Sequence, residues 1–154
     1  RVFFLSFVNY LIIPTSQKNT FFILKTVTEA KAKQKTRLTT NSKIIKTIIA
    51  AIQEKKGSEV ISLNLKKIPE AVADFFVICE ANNPNLVKAI ADNVEKRVQE
   101  NCGEKPYKFE GKSGEKWILI DYVDVVVHCM MSDVRGFYNL EDLWQDAEKK
   151  EYAE

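Results

Sequence analysis

Histidine and cysteine are scarce in this chain of 154 residues. It has one histidine, His128, and three cysteines, and none of the cysteines forms a Cys-x-x-Cys pair. A zinc site built from these residue types would need an unusual ligand set, so we expect no metal. Because Cys79 and Cys129 lie inside apolar runs, we expect buried, reduced thiols, which are typical of a reducing compartment.

Glycine-rich phosphate loops and long apolar segments are missing as well. None of the five glycines opens a helix after a strand in the pattern that binds a triphosphate. The apolar run at residues 2–13 is too short to cross a bilayer as a helix, which needs roughly 20 residues. We therefore expect no cofactor, no small-molecule substrate and no membrane span.

Charge is divided unevenly along the chain. The formal net charge is +2, but residues 1–38 carry +6 and residues 39–154 carry −4. An acidic body disfavours the phosphate backbone as the main source of affinity, so we expect little direct nucleic-acid binding. It is compatible with a basic protein partner that is approached by electrostatic steering.

The first 38 residues are basic, poor in acids and unlike the rest of the chain. We interpret them as a disordered or non-native extension, with an organellar transit peptide as the alternative. Excluding them leaves residues 39–148 as one domain and residues 149–154 as a charged tail.

Hydrophobic periodicity predicts the elements of that domain. Ser42 suits the N-cap of the first helix and Gly57 its C-terminal end, while Asn83 and Pro84 suit the start of the second helix, which Gly103 ends. The first half contains helix 43–56, strand 59–65, a central strand 74–81 buried on both faces, and the second helix, which starts at Pro84 and stops at Gly103. The second half contains an edge strand 106–110, a turn 111–115, strands 117–120 and 125–130, and a short helix 139–146. This order indicates a single α/β domain with a mixed β-sheet flanked by helices.

The stretch from residue 117 to residue 144 interleaves acids with aromatics. As a single strand, residues 117–130 would span about 45 Å, which is longer than ordinary strands. We therefore predict an antiparallel hairpin with Asp121 and Asp124 at its tip. Acidic and aromatic side chains around such a hairpin predict a surface that binds a basic partner.

The aromatics of this stretch exceed what one end of a small core requires. We expect about half of them, Trp117 and Phe137, to be in the core. We expect the others, Tyr138 and Trp144, to be exposed as interface anchors.

Catalysis is the alternative role for this stretch. Asp121 and Asp124 could hold a divalent metal for nucleotidyl transfer, but turn chemistry alone explains aspartates at a hairpin tip. His128 and Cys129 point to opposite faces of a strand and cannot form a dyad, so His128 is a structural or interface histidine. Arg135 either pairs internally, with Asp133, Glu141 or Asp142, or contacts the partner.

Four motifs give the chain a strong resemblance to a known family. They are ADFFVICEA (73–81), NNPNLVKAIADNV (82–94), W-x-L-x-D-x-x-D-V-V-V-H (117–128) and R-x-F-Y-x-L-E-x-L-W (135–144). With these motifs, residues 41–147 resemble the Iojap-like ribosomal silencing factors. The resemblance implies an α/β fold like that of nucleotidyltransferases but without their catalytic set.

The resemblance also implies a function. Such factors bind the large ribosomal subunit through ribosomal protein L-fourteen, block the small subunit sterically and lower translation when nutrients are scarce. It allows a homodimer of the free protein and a bacterial cytoplasmic location, or an organellar one if residues 1–38 are a transit peptide. The alternatives are an assembly or maturation factor for the large subunit and a metal-dependent nucleotidyltransferase using Asp121 and Asp124.

The motifs also assign the expected contact surface by position. It comprises Asp74, Phe76, Trp117, Asp121, Tyr122, Asp124, His128, Arg135, Tyr138, Glu141 and Trp144. Val123 stands where the family usually has glycine. Because a β-branched residue tolerates a positive φ poorly, we expect the turn at residues 121–124 to be strained or reshaped.

Overall fold

A computed structural model describes residues 38–111 and 116–153, so the predictions for residues 1–37 and for most of the turn 111–115 lie outside the described residues. The helices are α1 (Lys43–Glu54), α2 (Pro84–Cys102), α3 (Ser132–Tyr138) and α4 (Leu140–Leu143). The strands are β1 (Ser58–Asn64), β2 (Phe75–Ala81), β3 (Lys108–Glu110), β4 (Trp117–Asp121), β5 (Val125–Met131) and β6 (Glu148–Tyr152).

The six strands form one mixed sheet in the order β3-β4-β5-β2-β1-β6. Strands β2 and β5 pair in parallel, whereas β4 and β5 pair antiparallel as the predicted hairpin. β2 lies between β5 and β1. The side chains of residues 75–79, five of the seven in the strand, are fully buried. The predictions of a mixed α/β sheet with a central strand at residues 74–81 and an edge strand within residues 106–110 are confirmed.

Helices α1 and α2 cover one face of the sheet. The isoleucine stripe of α1, from Ile44 to Ile52, is at most 7% exposed and packs mainly against α2, β2 and β1. Burying each such side chain contributes about 1.5–3 kcal/mol, so this stripe is the main reason that α1 forms where it does. We call this side of the sheet the helical face.

The termini of the two long helices follow the predicted capping residues, with one difference. Asn83 accepts the Leu86 N–H at 2.8 Å, and Gly103 adopts a φ of 69° after α2, as predicted. At the end of α1, however, the residue with positive φ is Lys56, at 59°. Gly57 is needed for close packing instead, because a Cβ there would lie 2.5 Å from Ile52 Cγ2.

The opposite face of the sheet is covered by the connector after β1 and by α3 and α4. Its core includes Leu63, Phe76, Trp117 and Met130, with Leu140 from α4 packed over them. The predicted helix 139–146 is shorter than expected, and α3 before it was not predicted. No residue of α3 is fully buried, so the helix has only a weak apolar stripe in the sequence.

The C-terminal residues correct another prediction. Residues 149–154 were expected to form a charged tail, but Glu148–Tyr152 is an edge strand that pairs antiparallel with β1. Four of its five side chains are charged and exposed, so the strand lacks the alternating apolar face that reveals most strands. The Tyr152 hydroxyl lies 3.0 Å from Ser62 Oγ, which connects the strand to the sheet. In the part of the chain that is described, no helix has the length and apolarity to cross a membrane.

Candidate functional site

The turn between β4 and β5 is held by one aspartate. The Asp121 carboxylate accepts the Val123 N–H at 2.7 Å, and the Tyr122 N–H donates to the Val125 carbonyl at 2.8 Å. Val123 itself has a φ of 72°, so the predicted conflict between valine and a positive φ is present. Asp121 is only 9% exposed, and burial raises the pKa of its carboxyl group. It therefore supports the turn more than it faces a partner.

Two other predicted contact residues join this turn to the start of β2. The Asp124 carbonyl accepts the N–H groups of Asp74 and Phe75 at 2.9 and 3.0 Å. The side chains of Asp74 and Asp124 are half-buried, so both reach the surface at this end of the sheet. This end is separated from α3, which begins at the other end of β5, by about 20 Å of strand.

Three predicted contact residues are buried beneath the surface. Phe76, Trp117 and His128 are 0%, 3% and 0% exposed, so they cannot touch a partner directly in this conformation. Trp117 Nε1 donates to His128 Nδ1 at 3.2 Å, and the Phe76 ring contacts the His128 ring at a centroid distance of 4.8 Å. Burial lowers the pKa of His128 to about 3, which keeps the imidazole neutral. The histidine is therefore structural.

Tyr138 and Trp144 form the outer edge of this buried aromatic cluster. The Tyr138 ring lies 4.9 Å from the Trp117 ring, and the Trp144 ring lies 5.8 Å from the Phe76 ring. Both residues are half-buried, so the cluster fixes the position of two aromatic side chains that remain accessible. Tyr122, by contrast, lies in the core of the helical face at 6% exposure, and it is not part of this surface.

Arg135 pairs internally, which decides between the two roles left open by the sequence. Its Nε and Nη2 donate to Glu141 Oε1 at 2.8 and 2.6 Å, and its Nη1 donates to the Glu59 carbonyl at 2.7 Å. Glu80 Oε2 lies 3.7 Å from the same nitrogen, and the arginine side chain is 11% exposed. These contacts connect α3 with α4, β1 and β2, so Arg135 and Glu141 position the surface.

The other two acids considered as partners of Arg135 have different neighbours. Lys116 Nζ donates to Asp133 Oδ2 at 2.8 Å, and this bond lowers the pKa of the Asp133 carboxyl group. Asp142 accepts from the Asn139 side-chain amide, three residues earlier. Both aspartates are exposed, and they remain available to a partner.

Phe137 is misplaced in the opposite sense to the buried contact residues. We expected it in the core, but it is 80% exposed, and its ring packs only edge-on against Tyr138 at 5.1 Å. Val134 and Tyr138, four residues apart, define the covered side of α3. Because Phe137 follows Val134 by three residues, helical spacing would have placed it near the covered side, so periodicity gives no signal that it is exposed.

These residues form one accessible surface on the side opposite α1 and α2. We call it the α3–α4 surface and define it as Asp133, Phe137, Tyr138, Asp142, Trp144 and Asp146. Residues 131–147 contain four acids and one base, so the segment has a formal charge of −3. An exposed phenylalanine among carboxylates suits a partner that offers an apolar pocket with basic residues around it.

The metal-dependent alternative concerns the side chains around Asp121 and Asp124. Within residues 38–111 and 116–153, no group of three or more His, Cys, Asp or Glu side chains is placed to hold a metal ion. The carboxylate of Asp121, one of the two candidate ligands, is mostly buried and bonded to the turn backbone.

Comparison with known proteins identifies one family. Residues 38–154 match the model of a family described as "Ribosomal silencing factor during starvation". The ribosomal silencing factor of Halalkalibacterium halodurans is 42% identical over 107 residues, covering 70% of this chain and 90% of that protein. A crystal structure of a protein from Chromobacterium violaceum superposes with a TM-score of 0.63 at 30% identity, covering 72% of this chain and 91% of that one.

A more distant relative carries a different name. The mouse protein called "Mitochondrial assembly of ribosomal large subunit protein 1" is 33% identical over 73 residues. The match covers 46% of this chain and 32% of the mouse protein.

Proposed function

Because the chain belongs to the family of ribosomal silencing factors, we propose that it binds the large ribosomal subunit and prevents the small subunit from joining. In this proposal the contact is ribosomal protein L-fourteen, and the result is lower translation under nutrient limitation. The observation that carries it is the α3–α4 surface, where Phe137 is 80% exposed in a segment of charge −3. Ribosomal proteins are basic, which makes such a surface electrostatically complementary.

In the α3–α4 surface, the carboxylates and the aromatic side chains contribute to binding in different ways. Exposed carboxylates steer a basic partner into contact, which raises the association rate more than the final affinity. Phe137, Tyr138 and Trp144 supply the apolar area that holds the complex together. Blocking the small subunit then needs only the volume of the folded domain at the joining face, with no chemical step.

The buried residues make this surface rigid. The Trp117–His128 hydrogen bond fixes the ring against which Tyr138 packs, and Arg135 fixes α3 against the sheet. A surface that is ordered before binding loses less conformational entropy on binding, so these contacts favour affinity without touching the partner.

Phe137→Ala tests the proposal with a matched control. We expect a loss of about 2 kcal/mol, or roughly 30-fold, in affinity for the purified ribosomal protein, measured by calorimetry, because a central aromatic anchor is removed. Tyr107→Ala is the control, since Tyr107 is 70% exposed beside the distant edge strand β3. Equal affinities of the wild type and the Phe137→Ala variant would show that this surface is not the contact.

A charge-reversal test should avoid the hairpin. Asp121→Lys would remove the carboxylate that holds the turn, so a loss of binding could reflect misfolding. The double reversal Asp142→Lys and Asp146→Lys changes exposed residues only. We expect it to lower the association rate and to weaken the dependence of that rate on salt.

A role in large-subunit assembly is the second candidate, and the name of the mouse relative favours it. An assembly factor would use the same docking surface but act on immature particles. Sedimentation profiles of growing cells that lack the protein separate the two. Accumulated large-subunit precursors would indicate assembly, whereas normal subunits with excess joined ribosomes during starvation would indicate silencing.

A further inference from the structure

The N-terminal end of α1 presents unpaired positive charge. Lys43 and Lys46 are exposed one turn apart, and within the described part of the chain neither forms an ion pair. They lie on the helical face of the sheet, opposite the α3–α4 surface. The proposed docking to a ribosomal protein does not use them.

The two lysines line an open groove of about 470 Å³ between α1 and α2. Its polar lining also includes Asn41, Thr47, Asn101 and Arg97. The groove has one acid, Glu54, which Arg97 Nη2 contacts at 2.6 Å. This hydrogen bond is the main reason that the pKa of Glu54 falls to about 2. The charges of Glu54 and Arg97 therefore compensate each other, and Lys43 and Lys46 give the groove its positive charge.

The position of these lysines works against the helix. The first turn of α1 contains no acid, although the N-terminal end of a helix carries a partial positive charge that carboxylates stabilise. Lysines at this end are therefore unfavourable for the helix. No ion pair within the described fold compensates for these lysines. Residues that oppose the local structure in this way are typical of functional sites, which indicates that Lys43 and Lys46 contact another molecule.

The sequence extends the same charge toward the N-terminus. Between Glu29 and Glu54 there is no acidic residue, and the segment carries six bases: Lys31, Lys33, Lys35, Arg37, Lys43 and Lys46. Within the body itself, residues 39–53 contain two bases, Lys43 and Lys46, and no acid, so the acidic charge of residues 39–154 lies beyond this segment.

We propose that the groove at the N-terminal end of α1 binds the phosphodiester backbone of RNA. Lysine ammonium groups neutralise phosphates, while the Asn41, Thr47 and Asn101 side chains can hydrogen-bond phosphate oxygens and ribose hydroxyls. The choice of RNA over another polyanion rests on the proposed function, because a protein docked on the ribosome is surrounded by ribosomal RNA, the most abundant polyanion there. The contact adds modest, sequence-independent affinity to the protein docking.

The test is binding of the full chain to a fluorescent RNA duplex of about 20 base pairs. This length exceeds the ~16 base pairs that a typical double-stranded RNA-binding domain covers. Fluorescence anisotropy is measured across a range of salt concentrations. We expect Lys43→Glu with Lys46→Glu to weaken binding at low salt at least tenfold. The slope of log affinity against log salt should fall by about 2, one for each lost phosphate contact.

Lys67→Glu with Lys88→Glu is the matched control, because it makes the same charge change at exposed positions that do not line the groove. The control should lose less than about twofold in affinity. Equal losses in both variants would mean diffuse attraction and overturn the proposal, as would absence of RNA binding at low salt. Lysine-dependent binding to phosphatidylglycerol vesicles without RNA binding would assign the groove to a membrane surface instead.

This assay contains no ribosome, so its failure leaves the proposed function standing. Conversely, the Phe137→Ala variant should bind the RNA duplex like the wild type. If the α1 variant binds RNA normally but the Phe137 variant does not, both the location of the RNA site and the independence of the two faces are wrong.

Discussion

At position 123 a valine occupies a backbone conformation that favours glycine. Its φ of 72° costs an L-residue roughly 1–2 kcal/mol, more when the side chain is branched at Cβ. The hydrogen bond from its N–H to Asp121 holds it there. This strain was predictable from the sequence, because the motif fixed both the turn and the residue at its tightest point.

Val123→Gly should therefore stabilise the protein. We expect the free energy of unfolding in urea to rise by about 1 kcal/mol, after the entropic cost of glycine in the unfolded chain is subtracted. Val123→Ala keeps a Cβ and should change it by less than about half as much. A less stable glycine variant would show that the valine side chain contributes packing that outweighs the strain.

His128 predicts a specific pH dependence. Its pKa is lowered to about 3 in the folded state by burial, from 6.5 in the unfolded chain, so below pH 6.5 the unfolded state binds more protons. The contribution of the neutral His128 to the free energy of unfolding is fully present above pH 6.5, and it is lost as the pH falls toward 3. Between pH 7 and 5.5 we expect a loss of about 1 kcal/mol in urea unfolding.

His128→Gln is the variant that isolates this effect. It should be less stable at pH 7, because Trp117 loses a well-placed acceptor, but nearly flat between pH 7 and 5.5. A wild-type protein whose stability does not change over that range would mean that the imidazole is not held neutral in the folded state.

Among the elements, α3 shows most clearly what sequence patterns miss. Helices α1 and α2 were predictable because each buries a long apolar stripe and carries explicit capping residues. α3 has seven residues, buries none of them fully and is held largely by Arg135, whose partners Glu59 and Glu80 are far away in sequence. Such a tertiary contact leaves no periodic signal, and neither do the charged side chains of β6.

Arg135→Ala should loosen α3 without removing a partner contact. The variant leaves Glu80 and Glu141 without their cation, and since these groups are partly exposed we expect about 2 kcal/mol of destabilisation. Amide hydrogen exchange should accelerate in residues 132–143 and remain slow in α1 and α2. Binding of the ribosomal protein should weaken as well.

Arg135→Lys gives the internal control for this prediction. Lysine keeps the charge but cannot donate from a planar fork to Glu141 and the Glu59 carbonyl together, so it should rescue only part of the loss. Full rescue would mean that charge alone positions α3. Unchanged exchange in the alanine variant would mean that packing of Tyr138 and Leu140 is sufficient.

At the scale of the whole molecule, one sheet separates two layers. The long helices α1 and α2 form one layer, and the short helices α3 and α4 with the connector after β1 form the other. The fold was predictable because apolar periodicity and turn residues agree over residues 43–130. The candidate site was predictable only in part. The motifs include the residues of α3 and α4, but positions alone could not show that Phe76, Tyr122 and His128 point inward or that Phe137 points outward.

The central claim is that this surface places the protein on the large ribosomal subunit where the small subunit joins. Co-sedimentation of the full chain with purified subunits tests it most directly. We predict that the chain pellets with the large subunit and not with the small one, that adding it lowers the fraction of joined ribosomes, and that Phe137→Ala weakens both effects. No co-sedimentation with the large subunit at low salt, or binding that leaves subunit joining unchanged, would contradict the account.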